Sequence, residues 1–509
     1  MSDQPTIVKS RFPVSLILTV IGVLVVLAVS WQRGWIDFSS VKSLFAFIFI
    51  LGAAVVIHEF GHFIVAKMLG IRVETFSVGF GPRLLGRKWG TTDYRLSAIP
   101  LGGYVKLGGD ESNAPIEGEG ASDIPPGEQF NLRPRWQRVL VAVAGPVMNI
   151  LTALAIPLIA GLLWGVPLTI RSPIVSRVAP DSAAQVAGIQ PGDRIVSFNG
   201  TENPALNEIT GDALVVEDQP QPRSLVVERN GQRIPLSIVP KARREGDETI
   251  GELGILPDYG TVPVIASSVV DGKAAAKAGV QPGDRIVALN GEPVKNREQV
   301  MQYLGEYKEK EIRLTVERQG QRVDINSGVD YQASAEGKQV GRIGVGLSEV
   351  LPYENVGFAG TVGYAVRYNW QILKLTGKAL GQLFKGQRSA RNTISGPIGI
   401  YSAASTAVNE AGWSGIFTML GFLSLSLGVF NLLPIPVLDG GAIFLLFIEA
   451  ALSWVGIKLS MTMRERIQQV GFVMLLLLMG FVITNDVLKK ASNARNAAEE
   501  KPAATAPQK

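Results

Sequence analysis

An apolar run early in the chain carries the residues that decide its fold. Residues 43–69 read SLFAFIFILGAAVVIHEFGHFIVAKML. About 20 apolar residues are enough for a helix to cross a bilayer, so this run predicts a membrane helix over residues 43–70. Its second half holds three ionisable residues, His58, Glu59 and His62. Charge is costly at that depth, which favours a functional explanation for all three.

The spacing of the two histidines suits a metal ion. Residues four apart lie on one face of a helix, so the His58 and His62 imidazoles can bind one Zn²⁺. Glu59 between them can act as general acid and base. The alternative is an ordinary helix whose polar residues face solvent, but residues 51–57 and 63–65 are almost all apolar. Zinc is inferred from ligand chemistry, and Co²⁺ or Fe²⁺ could occupy the same donors.

A third ligand must come from elsewhere in the chain. The sequence has no cysteine and only two histidines, so the ligand is a carboxylate or an amide. Residues 416–454 form an apolar stretch that is interrupted by two prolines, two glycines and Asp439. Irregular backbone at membrane depth is tolerated where it is buried or lines a wet cavity, which favours Asp439. Glu449, in the regular part of the same stretch, is the competing carboxylate.

Composition agrees with a membrane protein that also has soluble parts. Of the 509 residues, 47% are hydrophobic and only 18% are charged, against about 25% charged in soluble proteins. The formal net charge of +5 is small. No basic stretch is interleaved with aromatic residues, so nothing predicts a nucleic-acid partner. The absence of cysteine excludes disulfides and thiolate metal sites.

Further apolar runs define the predicted topology. They span residues 13–30, 139–166, 416–454 and 470–483. Basic residues follow the zinc-motif run, precede the 139–166 run and join the last two runs, which predicts that these loops are cytoplasmic. Residues 167–350 then lie on the extracytoplasmic side. The first run predicts a retained extra transmembrane segment in residues 1–42; a cleaved signal peptide is the alternative, since Ala28, Val29 and Ser30 resemble a cleavage site.

Residues 167–350 contain an internal repeat. AGIQPGDRIVSFNG at 187–200 recurs as AGVQPGDRIVALNG at 278–291, with 11 of 14 positions identical. Turn signals alternate with short β-branched runs, which predicts two small β-rich domains. The repeated motif resembles that of PDZ domains. The resemblance implies one PDZ domain at residues 167–258 and a second at 259–350, each binding extended peptides or chain termini at a sheet edge.

The order of the two metal motifs resembles a known protease family. HEFGH at 58–62, NLLPIPVLDG at 431–440 and an intervening PDZ region resemble site-2 proteases, in particular their bacterial RseP-type group. The resemblance covers about residues 43–488. It implies that His58, His62 and Asp439 hold the zinc and that Glu59 is the catalytic acid and base. It also implies that Asn431 contacts the substrate backbone near the scissile bond.

The same resemblance extends to the loop at residues 71–138. Residues 76–82 (FSVGFGP) and 94–107 (YRLSAIPLGGYVKL) resemble a membrane-dipping β-hairpin whose edge, at Leu101, Gly102, Gly103 and Tyr104, pairs with an unwound substrate. An ordinary cytoplasmic hairpin is the alternative. AGPVMN at 144–149 also matches a family segment, and we expect it to serve close helix packing through Gly145 rather than chemistry.

The sequence thus predicts a polytopic α-helical membrane protein with a membrane-associated β-hairpin and two inserted β-rich PDZ domains. The remaining predicted segments are a transmembrane helix at 139–166, an amphipathic membrane-surface segment at 351–412, a broken transmembrane segment at 413–455, a last transmembrane helix at 468–488 and a disordered tail at 489–509.

The predicted activity is hydrolysis of peptide bonds within transmembrane segments. The resemblance implies single-span substrates, such as anti-sigma factors or remnant signal peptides, and a location in the bacterial inner membrane. Two alternatives remain open at this stage. One is a catalytically inert PDZ scaffold with a membrane anchor, which would not need Glu59. The other is a metal transporter, which would need polar residues in more membrane helices.

Overall fold

The structure is a computed structural model that describes residues 38–109, 124–245, 248–258, 260, 262–333, 339–349, 353–456 and 461–499. The chain divides into two compact units. Of the described residues, the first unit contains those up to Ala160 together with Val362–Lys374 and those from Ala390 to Glu499. The second contains Gly161–Thr361 and Leu375–Ser389. The predicted extra segment at residues 13–30 lies outside the described residues.

Long helices dominate the first unit, and short helices accompany the strands of the second. The helices are α1 Phe38–Met68, α2 Arg135–Trp164, α3 Ala183–Val186, α4 Leu206–Leu214, α5 Ala274–Ala278, α6 Arg297–Glu306, α7 Gly357–Phe384, α8 Ala390–Thr393, α9 Pro397–Asn431, α10 Asp439–Trp454 and α11 Met461–Glu499. Two 3₁₀ turns, Pro126–Glu128 and Phe130–Leu132, precede α2.

Most strands belong to the second unit. They are β1 Val73–Trp89, β2 Thr92–Leu107, β3 Val166–Pro167, β4 Val175–Val178, β5 Arg194–Phe198, β6 Thr201–Glu202, β7 Arg223–Arg229, β8 Gln232–Ile238, β9 Lys241–Glu245, β10 Glu248–Glu252, β11 Ile255–Pro257, β12 Val264–Val269, β13 Arg285–Leu289, β14 Glu292–Pro293, β15 Glu311–Arg318, β16 Gln321–Gly328, β17 Asp330–Ala333, β18 Gln339–Arg342, β19 Val345–Glu349 and β20 Tyr353–Glu354.

Four helices among the described residues are long and apolar enough to cross a membrane. These stretches are Val41–Met68, Arg135–Trp164, Ala411–Asn431 and Arg466–Lys489. Helices α1 and α9 pack together through small and β-branched residues, including Ala46, Ile50, Ala404 and Val408. The structure therefore confirms several membrane-capable helices together with β-rich regions.

Helix α9 begins at a buried carboxylate from the last helix. Asp486 of α11 accepts backbone hydrogen bonds from Gly396, Ile398 and Gly399 at 3.0–3.1 Å. The first N–H groups of a helix have no partner within it, so an acidic side chain there stabilises the helix start. At Gly412 the backbone leaves the helical region (φ 57°, ψ −130°) and kinks α9.

The loop between α1 and α2 folds into more than a simple hairpin. Residues 75–78 of β1 pair with residues 103–106 of β2 on one side and with residues 93–96 on the other. Residues 83–89 extend the sheet by pairing with the start of β2. The expected hairpin therefore doubles back on itself, because turns near Gly79 and Gly102 bend both strands; their φ angles of 89° and 152° favour glycine.

Two β-rich regions form the core of the second unit. One sheet has the order β6-β5-β7-β8 and the other has β16-β15-β13-β12-β19, with β14 beside β13. Each region has its own apolar core. The repeated motif produces the same contact in both: Arg229 binds Asp193 and Arg318 binds Asp284, each through Nε and Nη2 at 2.7–2.8 Å.

Two predictions about the later segments need correction. The segment 351–412 is not one stretch on the membrane surface. Asn369 of α7 is buried and donates a hydrogen bond to the Ala153 carbonyl of α2 at 3.0 Å. Residues 397–412 belong to a different helix, α9. The predicted disordered tail is helical as far as Glu499. Its Ala, Glu, Arg and Lys residues are strong helix formers, and extending an existing helix needs no new nucleation.

Candidate active site

The three proposed metal ligands meet at one point. Helix α1 presents His58 and His62 one turn apart, 6% and 8% exposed. Their Nε2 atoms lie 3.0 and 3.5 Å from Oδ2 of Asp439 and 3.2 Å from each other. The ligand atoms of the three residues all lie within 4.8 Å of one another. This is the size and donor chemistry of a site for a single metal ion.

One face of α2 lies against both imidazoles. Gly145 is at its centre, where a β-carbon would overlap Nε2 of His62 and lie 2.8 Å from Nε2 of His58. One turn earlier, the Val141 carbonyl accepts a hydrogen bond from Nδ1 of His62 at 2.7 Å. One turn later, the Asn149 amide lies 3.2 Å from Nδ1 of His58. Gly145 leaves room for the ligating nitrogens, while Val141 and Asn149 contact the opposite nitrogen, Nδ1, of each ring.

The break after α9 delivers Asp439 to the histidines. Pro434 and Pro436 lack an N–H and interrupt the helix between Asn431 and Asp439. Gly440 and Gly441 fit closely against this loop, since a β-carbon at either position would overlap carbonyl oxygens of the loop. Asp439 becomes the first residue of α10. Asn431 ends α9 with its amide Nδ2 3.4 Å from Nε2 of His58.

Strand β2 runs along α1 toward Glu59. The Pro100 carbonyl faces Gly52, where a β-carbon would lie 2.6 Å away, and Gly103 lies against Val56. At the end of this contact the Val105 backbone N–H donates to Oε2 of Glu59 at 3.1 Å. The general base expected from the sequence is thus held by the β-sheet as well as by its own helix.

The four residues expected to bind substrate lie on this part of β2. Gly102 and Gly103 are buried, and Leu101 is exposed. The Tyr104 hydroxyl accepts a hydrogen bond from Arg95 at 3.2 Å, and its ring stacks on Phe80. Within the described part of the chain, residues 103–107 pair with β1 on one side only. On the other side of this stretch, the Val105 N–H donates to Glu59 of α1.

Comparison with known sequences decides the family. Residues 46–478 match the pattern described as peptidase family M50. The chain belongs to peptidase family M50.

Relatives of this M50 chain match along nearly their whole length. The regulator of sigma-E protease RseP of Salmonella typhimurium is 33% identical over 457 residues, covering 87% of this chain and 98% of that protein. The RseP protein of Escherichia coli is 32% identical over 456 residues, with the same coverage. A Ralstonia nicotianae protein provisionally named a zinc metalloprotease is 32% identical over 466 residues, covering 87% and 98%.

A solved structure overlaps with a small part of the M50 chain. The PDZ domain of an SdrC-like protein from Listeria monocytogenes is 20% identical and covers 16% of this chain and 85% of its own. The TM-score is 0.15, an overlap too slight to assign a fold.

The competing carboxylate, Glu449, has a different environment. Its Oε2 lies 3.7 Å from Nη2 of Arg138 at the start of α2, and both side chains are largely buried. The geometry therefore groups Asp439, and not Glu449, with the two histidines.

Sequence reasoning missed the contact of Asn149 with the site. The segment at 144–149 was expected to serve packing alone, and Gly145 does pack closely. The spacing from Gly145 to Asn149 is one helical turn, which places both on the face toward α1. The signal available in the sequence was a polar asparagine within a mostly apolar run long enough to span a membrane.

Proposed function

We propose that this M50 zinc metalloprotease cleaves peptide bonds within membrane-spanning substrates, using His58, His62 and Asp439 to hold one Zn²⁺ and Glu59 to move the proton. The observation that supports it is the convergence of three ligand atoms within 4.8 Å of one another, two of them on α1, a helix long and apolar enough to span a membrane. Burying polar side chains within the membrane costs free energy, and binding to a metal ion offsets this cost.

The residues present fit a zinc ion. Two imidazole nitrogens and one carboxylate form a donor set used by catalytic zinc sites, which keep a fourth position open. The Val141 carbonyl can only accept a hydrogen bond, so Nδ1 of His62 carries the ring proton and Nε2 keeps its lone pair for the metal. The missing side chain at Gly145 leaves the ligating nitrogens unobstructed.

Residues of the chain carry out proton transfer and substrate positioning, and the metal ion would supply the rest of the chemistry. A bound Zn²⁺ supplies Lewis acidity, which lowers the pKa of a water toward about 7 and polarises a carbonyl. Glu59 accepts the proton of the attacking water and returns it to the leaving amine. The Val105 N–H holds one oxygen of Glu59 in place. Asn431, beside His58, is positioned to donate a hydrogen bond to the substrate carbonyl oxygen.

The outer edge of β2 offers a place for the substrate. A transmembrane helix must unwind before its amide groups can be attacked, and an edge strand can satisfy the released N–H and C=O groups. Residues 103–107 form such an edge beside Glu59. We include Leu101, Gly102, Gly103 and Tyr104 in this substrate-binding strand.

The second unit and the cellular setting complete the proposal. The two β-rich regions are tandem PDZ domains at 167–258 and 259–350 that bind peptides or chain termini outside the cytoplasm. The basic loops between α1 and α2 and before α11 favour this orientation in a bacterial inner membrane. Substrates are single-span regulatory proteins of the anti-sigma-factor kind, in keeping with the names of the relatives.

The test is cleavage of a tagged single-span substrate by purified protein, comparing wild type with Glu59→Gln at equal zinc content. We expect Glu59→Gln to bind zinc and lose cleavage by at least about a hundredfold. Glu128→Gln, at a half-buried carboxylate 3.8 Å from Arg72 and outside the site, is the control and should cleave normally. Equal cleavage by Glu59→Gln and wild type would overturn the role of Glu59.

A further inference from the structure

Asn149 is a buried polar residue with neighbours on two helices. It lies on α2 with 0% exposure. Its amide is 3.2 Å from Nδ1 of His58 on α1. On its other side Ser424 of α9 lies 3.1 Å from the Asn149 main-chain oxygen and 3.2 Å from the side-chain oxygen. An amide buried this completely must have its hydrogen bonds satisfied, which restricts how it can be oriented.

The hydrogen-bond inventory decides that orientation. His58 faces Asp439 with Nε2, so a ring that binds a metal through Nε2 carries its proton on Nδ1. The partner of Nδ1 must then be an acceptor, the amide oxygen. The two ends of an amide have nearly the same shape and are assigned from their partners. With the oxygen toward His58, the amide nitrogen donates to Ser424, whose hydroxyl donates in turn to the main-chain carbonyl of Asn149. Every group is then satisfied once.

We propose that Asn149 is a positioning residue that holds the His58 imidazole with Nε2 toward the metal. This inference rests on the proposed function, since it assumes that His58 ligates a metal. The arrangement parallels His62, whose Nδ1 is held by the Val141 carbonyl two turns away on α2. The His62 tether belongs to the main chain, whereas the His58 tether is a side chain and can be removed by substitution.

The consequence is a measurable change in metal affinity. Partners of a metal-bound histidine typically contribute 10- to 100-fold to metal affinity, because they fix the ring orientation. Asn149→Ala should therefore raise the Zn²⁺ dissociation constant by about that factor. Asn149→Asp keeps an acceptor oxygen toward Nδ1 and should bind Zn²⁺ more tightly than Asn149→Ala. Ser424→Ala removes only the support of the amide and should weaken binding by about two- to tenfold.

The experiment measures Zn²⁺ binding to the purified full chain in detergent by competition with a chromophoric chelator. The visible spectrum of the Co²⁺-loaded protein gives a second readout, because a rotated imidazole changes the ligand geometry. Asn369→Ala is the matched control: Asn369 is also a buried asparagine, 5% exposed, and it donates to the Ala153 carbonyl of α2 without touching a ligand. It should bind Zn²⁺ as wild type does.

The outcomes separate this inference from the proposed metal site. Weakened binding in Asn149→Ala, an altered Co²⁺ spectrum and recovery in Asn149→Asp would support it. Unchanged affinity and spectrum in Asn149→Ala would overturn it while leaving the site intact, as would equal losses in Asn149→Ala and Asn369→Ala. Wild type that binds no Zn²⁺ would overturn the site and this inference together. If Asn149→Ala does not fold, Ser424→Ala decides, and unchanged affinity there contradicts the inference.

Discussion

At the scale of single residues, Gly145 controls the space around the ligating nitrogens. A β-carbon at this position would overlap Nε2 of His62 and approach Nε2 of His58 to 2.8 Å. Neither the helix backbone nor the rings can retreat, because His62 is tied to Val141 on the same helix. Gly145→Ala should therefore abolish stoichiometric zinc binding and cleavage, measured by metal analysis and substrate assay.

The control is Gly377→Ala, in α7, where a β-carbon would have nothing within 4 Å. This variant should bind zinc normally and be slightly more stable, by up to about 1 kcal/mol. Zinc retained in Gly145→Ala would contradict the geometry.

The choice between the two carboxylates is also a single-residue question. Asp439 lies within 3.5 Å of both histidine Nε2 atoms, whereas Glu449 pairs with Arg138. Asp439→Asn should lower zinc affinity at least about tenfold, because an amide is a weaker, uncharged ligand. Glu449→Gln should lower thermal stability but leave zinc affinity unchanged, because it breaks a buried ion pair and no ligand contact. Isothermal titration with Zn²⁺ distinguishes them, and the reverse ranking would make Glu449 the ligand.

At the scale of elements, the repeated Asp–Arg pair connects strands in both β-rich regions. Arg229 at the end of β7 binds Asp193 before β5, and Arg318 at the end of β15 binds Asp284 before β13. Burial raises the pKa of Asp193, but the hydrogen bonds from Arg229, the hydrogen bond from the Gln190 N–H and the positive charge of Arg229 together outweigh burial and leave the pKa below its ordinary value. Hydrogen bonds from Arg318 likewise lower the pKa of Asp284, against the opposing effect of burial.

This lowered pKa gives a pH dependence of definite sign. The folded pKa lies below the unfolded value of about 3.9, so the stabilisation is present above that value and is lost as pH falls through the folded pKa. Hydrogen exchange of β7 and β15 in the full chain, corrected for intrinsic rates, should show protection lost below about pH 4. Arg229→Gln should remove this dependence from the first region only, and Arg318→Gln from the second only. Persistence of the acid step in both variants would exclude these pairs as its cause.

Element-scale features also show what sequence can and cannot provide. The spacing of His58 and His62 and the prolines around residue 435 are local signals, and they were enough to predict the helix, its metal face and the broken segment with Asp439. The return of residues 75–78 to pair with two parts of β2 depends on positive φ angles at Gly79 and Gly102, which a pattern of alternating residues does not reveal. The Asn149 contact needs the α1–α2 packing, which no single segment specifies.

At the scale of the whole molecule, the second unit contains a long-range contact that the order of the predicted domains along the chain does not indicate. Residues Leu375–Ser389 follow the second β-rich region but bind the first. Lys378 donates to Oδ1 of Asp212 at 2.7 Å, and Gln382 donates to Glu217 at 2.9 Å. Arg223 joins the two acids, reaching Asp212 at 3.0 Å and Glu217 at 2.8 Å. Ordinary polar residues some 165 positions apart carry no local signal for this contact.

The network predicts that the end of α7 is held by charge. Lys378→Met combined with Gln382→Leu removes the side-chain hydrogen bonds of α7 to Asp212 and Glu217, which then keep only partners outside α7, so α7 should detach from the region near α4. Because charge-assisted hydrogen bonds contribute about 1.5–3 kcal/mol each, amide exchange in residues 375–384 should accelerate by at least about tenfold. Lys374→Met, at an exposed lysine one turn earlier on α7, should leave exchange unchanged. Zinc affinity should stay at the wild-type value in both variants, since neither touches the metal ligands. Unaltered exchange in the double variant would mean that apolar packing, rather than these charges, holds the segment.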